Sequence, residues 1–249
     1  MINKKHIFIV AILIVVLFIV INLFFSFASQ TNNKIYVLWR HQDVMDIWQS
    51  QGAKNLNILH LDFHDDLREA LINREAQIIY QLIQESEIDS GNFLTYAVFD
   101  GTVEQIRWVH GIPGGREYDT GTVIYKSDLS EQEFQDSISN KKRTTLKYEV
   151  ILYENWSGLE KKQYLNIDWD FFAGKQMPKE DIKRKMEQFL KKDIQYIPEQ
   201  TYIAYSPVFS HHSLELYEEF VNRLAKKFNA KIDNSYFKGL IDYKFNWQT

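Results

Sequence analysis

Two acidic clusters at the ends of apolar runs are the residues of this sequence best suited to chemistry. The first lies in 58-ILHLDFHDDL-67 and supplies Asp62, His64, Asp65 and Asp66; the second, in 164-YLNIDWDFFAG-174, supplies Asp168 and Asp170. On an extended strand residues i and i+2 share a face, so Asp62 projects with His64, and Asp168 with Asp170. Asp66 follows on the first face if the extension persists. Carboxylates side by side at a buried strand end repel one another unless a cation lies between them. Carboxylate and imidazole oxygens and nitrogens suit hard or borderline divalent metals. Asp65 is read differently, as the residue that turns the chain or caps a following helix. His41, after Trp39-Arg40 in 36-YVLWRHQDVMDIW-48, could complete the ligand set. His60 shares the face of Asp62 one pleat deeper and reads as a partner that orients a ligand, or as a core histidine.

Elements able to position these clusters follow from the hydrophobic pattern. Strands are expected at 35–39, 57–62, 93–99, 121–125, 146–153, 164–168 and 202–205. Helices are expected at 67–85, 179–192 and 213–228, where apolar residues recur at three- and four-residue spacing. Such alternation implies an α/β fold with a mainly parallel sheet, whose ligands bind beyond the carboxyl ends of the strands. The domain is expected to occupy residues 34–249 behind a polar linker at 29–33.

Composition narrows the function classes. The chain has 249 residues, 45% of them apolar and 15% aromatic. Its net charge of -4 argues against nucleic acid as a partner. Cysteine is absent, which excludes thiolate metal sites, cysteine nucleophiles and disulfides. Residues 7–28 are 22 uncharged residues behind Lys4 and Lys5. As a helix they span roughly 33 Å, enough for a bilayer core of about 30 Å. The flanking charges place the N-terminus in the cytoplasm and the remainder outside. A single-pass anchor is the reading adopted for residues 1–28; the alternative is a signal segment cleaved near Ala28, leaving a secreted or periplasmic protein.

Taken together, His41, the Asp62-x-His64-x-Asp66 motif and the Asp168-x-Asp170 motif resemble the arginase-like metallohydrolases in order and in approximate interval. That resemblance implies a three-layer fold and two divalent ions, manganese first, with zinc or iron as alternatives. His41 and Asp66 would ligate one ion, His64 and Asp170 the other, with Asp62 and Asp168 shared. Trp48, His60, Trp108, Phe171-Phe172 and Ser206-Pro207 are similar to a branch that includes the peptide arginases. The implied reaction is hydrolysis of a guanidino group, in a peptide or small substrate, to an amine and urea by water activated between the ions. Trp39-Arg40-His41-Gln42 and Phe171-Phe172-Ala173 depart from the free-arginine enzymes and argue against free arginine as substrate. The leaving amine needs a proton, for which His211, His212 and His110 are the candidates. Glu215 and Asp65 are candidate contacts for the substrate. Two other readings stand beside this one: a zinc-dependent deacetylase of the same fold, and a non-catalytic, membrane-anchored binding module.

Overall fold

The computed structural model describes residues 33–83, 86–111, 123–159, 162–210 and 213–237. The expected membrane segment, residues 7–28, lies outside them, as do His211 and His212. Among the described residues, no helix is long and apolar enough to cross a membrane. Asn33–Thr249 forms one compact unit.

Its centre is a seven-stranded sheet. In chain order the strands are β1 (Lys34–Leu38), β2 (Leu56–Leu61), β5 (Val103–His110), β8 (Lys147–Leu152), β9 (Tyr164–Asp168), β10 (Gln200–Ala204) and β11 (Lys231–Asp233). They lie side by side as β11-β1-β10-β9-β2-β5-β8, with every pairing parallel. Strand alternation divides the apolar side chains between two cores. Ile35, Leu59, Ile167 and Ile203 face one core, completed by α4 (Lys179–Lys191) and α5 (Leu214–Phe228). Tyr36, Leu38, Ile58 and Tyr202 face the other, completed by α1 (Val44–Ser50) and α2 (Phe93–Phe99). The result is a helix–sheet–helix sandwich, the layering expected of an α/β chain.

α4 and α5 form where the sequence predicts them. Glu180 and Asp181 in the first turn of α4, and Lys226 and Lys227 in the last turn of α5, each match the charge to the helix dipole. Asn229, left-handed at φ 49°, stops α5.

Two expected elements are of the opposite type. The helix expected from Leu67 is instead a hairpin of β3 (Ala70–Asn73) and β4 (Ile78–Gln81). Ile72 pairs with Ile79 and Leu71 with Tyr80, the β-branched and aromatic cross-strand pairs that favour a sheet. Asn73 Oδ1 accepts the Ala76 N–H at 3.1 Å, and Gln77 turns left-handed to close the loop. With β6 (Ile124–Tyr125) and β7 (Lys142–Thr145) the hairpin builds a four-stranded sheet that the sequence did not announce. The strand expected at 93–99 is α2. Its aromatic and β-branched residues favour strands, but Phe93, Leu94, Ala97 and Val98 all bury on one helical face. The preceding Asp89-Ser90-Gly91-Asn92 turn starts it, with Asp89 Oδ1 accepting from Gly91 N–H and Asn92 Oδ1 from Asp89 N–H. Elsewhere α3 (Glu131–Ile138) is capped by Ser130, which exchanges hydrogen bonds with Glu133.

Candidate metal centre

The second core's face carries the polar residues. His60 on β2 is in register with Asn166 on β9 and with Trp108 on β5, so strand pairing places them in one row under α1 and α2. β2 ends at Leu61, and Asp62 to Asp66 form a loop rather than an extension of the strand. The loop curls because Asp66 is left-handed, at φ 53°, and because Asp62 Oδ1 accepts the His64 N–H at 2.8 Å. Trp108 Nε1 donates to the Asp62 carbonyl at 3.2 Å and ties the loop to β5. Asp168 closes β9, and Asp170 sits in the 3-10 turn Trp169–Phe171, whose N–H at Asp170 donates to Asp168 Oδ1. His41 opens another such turn, separated from β1 by Trp39 and Arg40. Turns, not continuing strands, therefore bring the carboxylates together.

The side chains converge in two adjoining groups. In the inner one, ligand atoms of His41, His60, Asp62 and Asp66 lie within 4.8 Å of one another, all buried. In the outer one, Asp62, His64 and Asp170 do the same. Asp62 belongs to both: its Oδ2 lies 2.9 Å from His41 Nδ1, and its Oδ1 3.7 Å from His64 Nδ1. Asp66 Oδ2 is also 2.9 Å from His41 Nδ1, and Asp170 Oδ2 is 3.2 Å from His64 Nδ1. Asp168 lies between the groups, with Oδ2 3.3 Å from His41 Nδ1 and accepting the Ser206 hydroxyl at 2.6 Å.

These atoms fit a cation better than they fit one another. His41 Nδ1, both nitrogens of His60, Asp62 Oδ2 and Asp66 Oδ2 are buried without a hydrogen bond, and a buried polar atom left so is costly. The 2.9 Å contacts of His41 with the two carboxylates lack the direction of hydrogen bonds. His41 Nε2 instead pairs with Asn166 Oδ1 at 2.8 Å. With that nitrogen donating to the amide oxygen, loss of the Nδ1 proton would leave a lone pair facing three carboxylates, an arrangement a metal ion resolves.

The electrostatics carry the same strain. Burial would lower the His41 pKa, but Asp168, Asp62 and Asp66 outweigh it and hold the imidazole well above its usual value. Burial likewise opposes His64, which Asp170 and Asp62 push up to about 12. Burial raises Asp66 and Asp170 well above the usual carboxylate range; neighbouring carboxylates add to it, first Asp62 for Asp66 and first Asp168 for Asp170. Asp62 is held well below that range because His41 and His64 overcome its burial. Burial drops His60 to about 3, so it stands neutral.

A cavity of about 450 Å³ opens onto the group, with His64, Asp66 and Asp168 at its inner end. Arg40, Arg68, Ser206, Val208 and Phe209 line the rest. Arg40 is held by Asp43, with Nε at 3.1 Å and Nη2 at 2.9 Å from Oδ1, and Arg68 is held by Asp89. Among these outer lining residues, Arg40 and Ser206 stand in stretches the sequence pattern singled out, whereas Arg68, Val208 and Phe209 do not.

Other sequence candidates fall elsewhere. His110 ends β5, buried against Trp108 with ring centroids 4.7 Å apart, and does not line the cavity. Burial lowers its pKa. Glu215 is exposed on the first turn of α5, away from the cavity lining. Asp65 borders the cavity, yet both oxygens are occupied, Oδ1 by Leu67 N–H at 3.0 Å and Oδ2 by Val123 N–H at 3.3 Å. It turns the chain; with no helix following, it caps none. His60, expected behind the ligands, has its Nε2 among them. Asn166 went unnoticed, although a lone amide within the apolar strand Tyr164–Asp168 was a readable signal.

No protein-family model matches the chain, and no curated protein does. Among solved structures it is similar to the proclavaminate amidino hydrolase from Streptomyces clavuligerus, at 13% identity over 78% of this chain and 62% of that one, with a TM-score of 0.38. It is also similar to a hypothetical agmatinase from Burkholderia thailandensis, at 14% identity over 74% of this chain and 54% of that one, with a TM-score of 0.35. The chain thus spans less than two thirds of either protein. Alignments this loose carry no argument about chemistry.

Proposed function

We propose that the chain is an arginase-like, dinuclear metal-dependent hydrolase of linear carbon–nitrogen bonds, acting on a guanidino group, with peptidyl arginine the preferred substrate. The observation that carries this reading is the pair of adjoining donor groups sharing Asp62, with His41 Nδ1, His60 Nε2, Asp62 Oδ2 and Asp66 Oδ2 of the inner group buried without a hydrogen bond. A single ion, as a zinc deacetylase would need, occupies only one of the two donor groups and leaves the other without an ion. His41, Asp66 and Asp62 would hold the inner ion, His64, Asp170 and Asp62 the outer one, with Asp168 adjoining both; manganese is the metal proposed, because oxygen donors predominate. When bound, such a pair supplies Lewis acidity and acidifies water toward neutral pH.

The chain's own residues do the rest. The cavity, lined at its inner end by His64, Asp66 and Asp168, places the reacting carbon of a bound substrate beside the donor groups. Ser206 and the Asp170 N–H hold the Asp168 carboxylate in place. Phe209, edge-on to His64 at 5.3 Å, walls the site from water on one side. Val208 and Phe209 remain 63% and 40% exposed, apolar surface that supports a substrate with chain beyond the guanidino group. His211 or His212, next in sequence to Ser210, is the proposed donor of the proton to the leaving amine. We further propose that residues 7–28 anchor the chain, with the hydrolase unit outside the cytoplasm; the uncharged run behind Lys4 and Lys5 supports this.

The test is urea release by the manganese-loaded protein from an arginine-containing peptide and from free arginine. The reading predicts urea from the peptide, little from free arginine, and none after Asp168→Ala. No urea from either substrate with two ions bound would overturn it.

A further inference from the structure

Resting on the two-ion reading above, we propose that His60 is itself a ligand of the inner ion, and that the inner position is consequently the tighter of the two and chemically distinct from the outer one. His60 lies on β2 two residues before Asp62, wholly buried. Its Nε2 is 3.5 Å from Asp62 Oδ2 and 3.7 Å from Asp66 Oδ2, the same two oxygens that lie 2.9 Å from His41 Nδ1. With metal–donor bonds of about 2.1 Å, neighbouring donors stand about 3.0 Å apart in an octahedron and about 3.4 Å apart in a tetrahedron. The four observed separations straddle those values, so one ion can reach all four donors with small side-chain adjustments.

Among the described residues, the His64 backbone also acts on this imidazole, but without hydrogen-bond geometry. Neither nitrogen has a hydrogen bond, and its other close ring neighbour is His41, stacked at 5.2 Å and 27°. A histidine kept only to orient a ligand would donate a hydrogen bond to that ligand or to the backbone, as Asn166 does for His41 by accepting one. His60 does neither, and its Nε2 points at the orphaned oxygens. The inner ion then has two imidazoles and two carboxylates, the outer ion one imidazole and two carboxylates. More nitrogen donors favour later first-row metals, so the inner position should fill first and discriminate more strongly between manganese and cobalt or zinc.

The test counts imidazoles by pulsed electron paramagnetic resonance on the full chain loaded with one equivalent of copper(II). Two coordinated imidazoles are expected, falling to one in His60→Gln, whose tight-site affinity for cobalt(II) should drop at least tenfold while the weaker site changes less than threefold. A single imidazole in the unsubstituted chain overturns the assignment even if two ions bind, and leaves the two-ion reading standing. Failure of the folded chain to bind any ion overturns both. Because the decisive count is made on the unsubstituted protein, it stands whether or not His60→Gln folds.

Discussion

Replacing Asp62, Asp66 and Asp170 one at a time by asparagine separates a metal centre from a buried salt-bridge cluster. Asp62 serves both donor groups, Asp66 only the inner and Asp170 only the outer. An ion present at a hundred times its dissociation constant stabilises the folded state by about 2.7 kcal/mol. For a unit the size of Asn33–Thr249, each kcal/mol raises the melting temperature by roughly 2–4 °C. One ion is thus worth roughly 5–11 °C, and two ions about twice that. Manganese should therefore raise the melting temperature of the unsubstituted protein most, of Asp66→Asn and Asp170→Asn about half as much, and of Asp62→Asn hardly at all. The metal-free proteins should behave in the opposite sense. Two ionised carboxylates 4.8 Å apart, the outer limit of the inner group, repel by about 3 kcal/mol at an effective dielectric constant of about 20. Burial and Asp62 already hold Asp66 toward its protonated form, so an amide there costs the metal-free protein nothing and relieves what repulsion remains. Metal-free Asp66→Asn should melt at or above the unsubstituted protein, and the order should reverse when manganese is added. Differential scanning fluorimetry with and without chelator reads both limbs. The reasoning fails if metal-free Asp66→Asn melts well below the parent and manganese shifts both equally, because Asp66 would then be only the partner of a charged His41.

Metal uptake should release protons. His41 is held well above its ordinary value and His64 at about 12, so both are protonated at pH 7 without metal and must be deprotonated to become ligands. Titration calorimetry in two buffers of different ionisation heat should give at least one proton released per ion at pH 7, and heats independent of buffer would contradict this. The same raised value sets the metal-free protein's pH dependence. The His64 contribution is complete below the unfolded imidazole pKa of about 6.5 and fades as pH rises toward about 12, so chelated protein should lose stability toward alkaline pH. Asn166→Ala removes the acceptor that fixes the His41 ring and should weaken the inner ion 10- to 100-fold, by chelator competition; an unchanged affinity would refute the positioning role. Phe220→Ala, in the core where Trp169 and Phe172 meet α5, should cost about 3–5 kcal/mol in urea unfolding, against under about 1 kcal/mol if that core were loosely filled.

The parts legible in the sequence were those where local pattern and tertiary role agree. Tyr164–Asp168 read correctly as a short, mostly apolar run buried on both faces of the sheet, and the stripe of Ile182, Met186 and Phe189 because it buries one face with the helical period. Leu67 to Gln81 and Phe93–Phe99 did not. In the first, apolar residues at helical spacing belong to a hairpin joined by Arg74–Gln77; in the second, strand-forming residues are held in a helix by burial of one face. β5, an internal strand between β2 and β8, escaped notice because Glu104, Gln105 and Arg107 interrupt its apolar run. The ligand types were visible as acidic residues ending apolar runs, but the geometry that joins them was not. It depends on the left-handed Asp66, the 3-10 turns at His41 and Trp169, and the register that sets His60 beside Asn166. The cavity rim was invisible for a related reason: Arg40, Arg68 and Phe209 meet only through the fold.

The central claim is that two divalent ions occupy adjoining positions that share Asp62. Its most direct measurement is the number of manganese ions retained per full chain after loading and removal of excess metal, by elemental analysis on protein quantified by amino-acid content. The account predicts two ions per chain, one in Asp66→Asn and one in Asp170→Asn. A folded chain that retains none, or the same number in all three proteins, would contradict it.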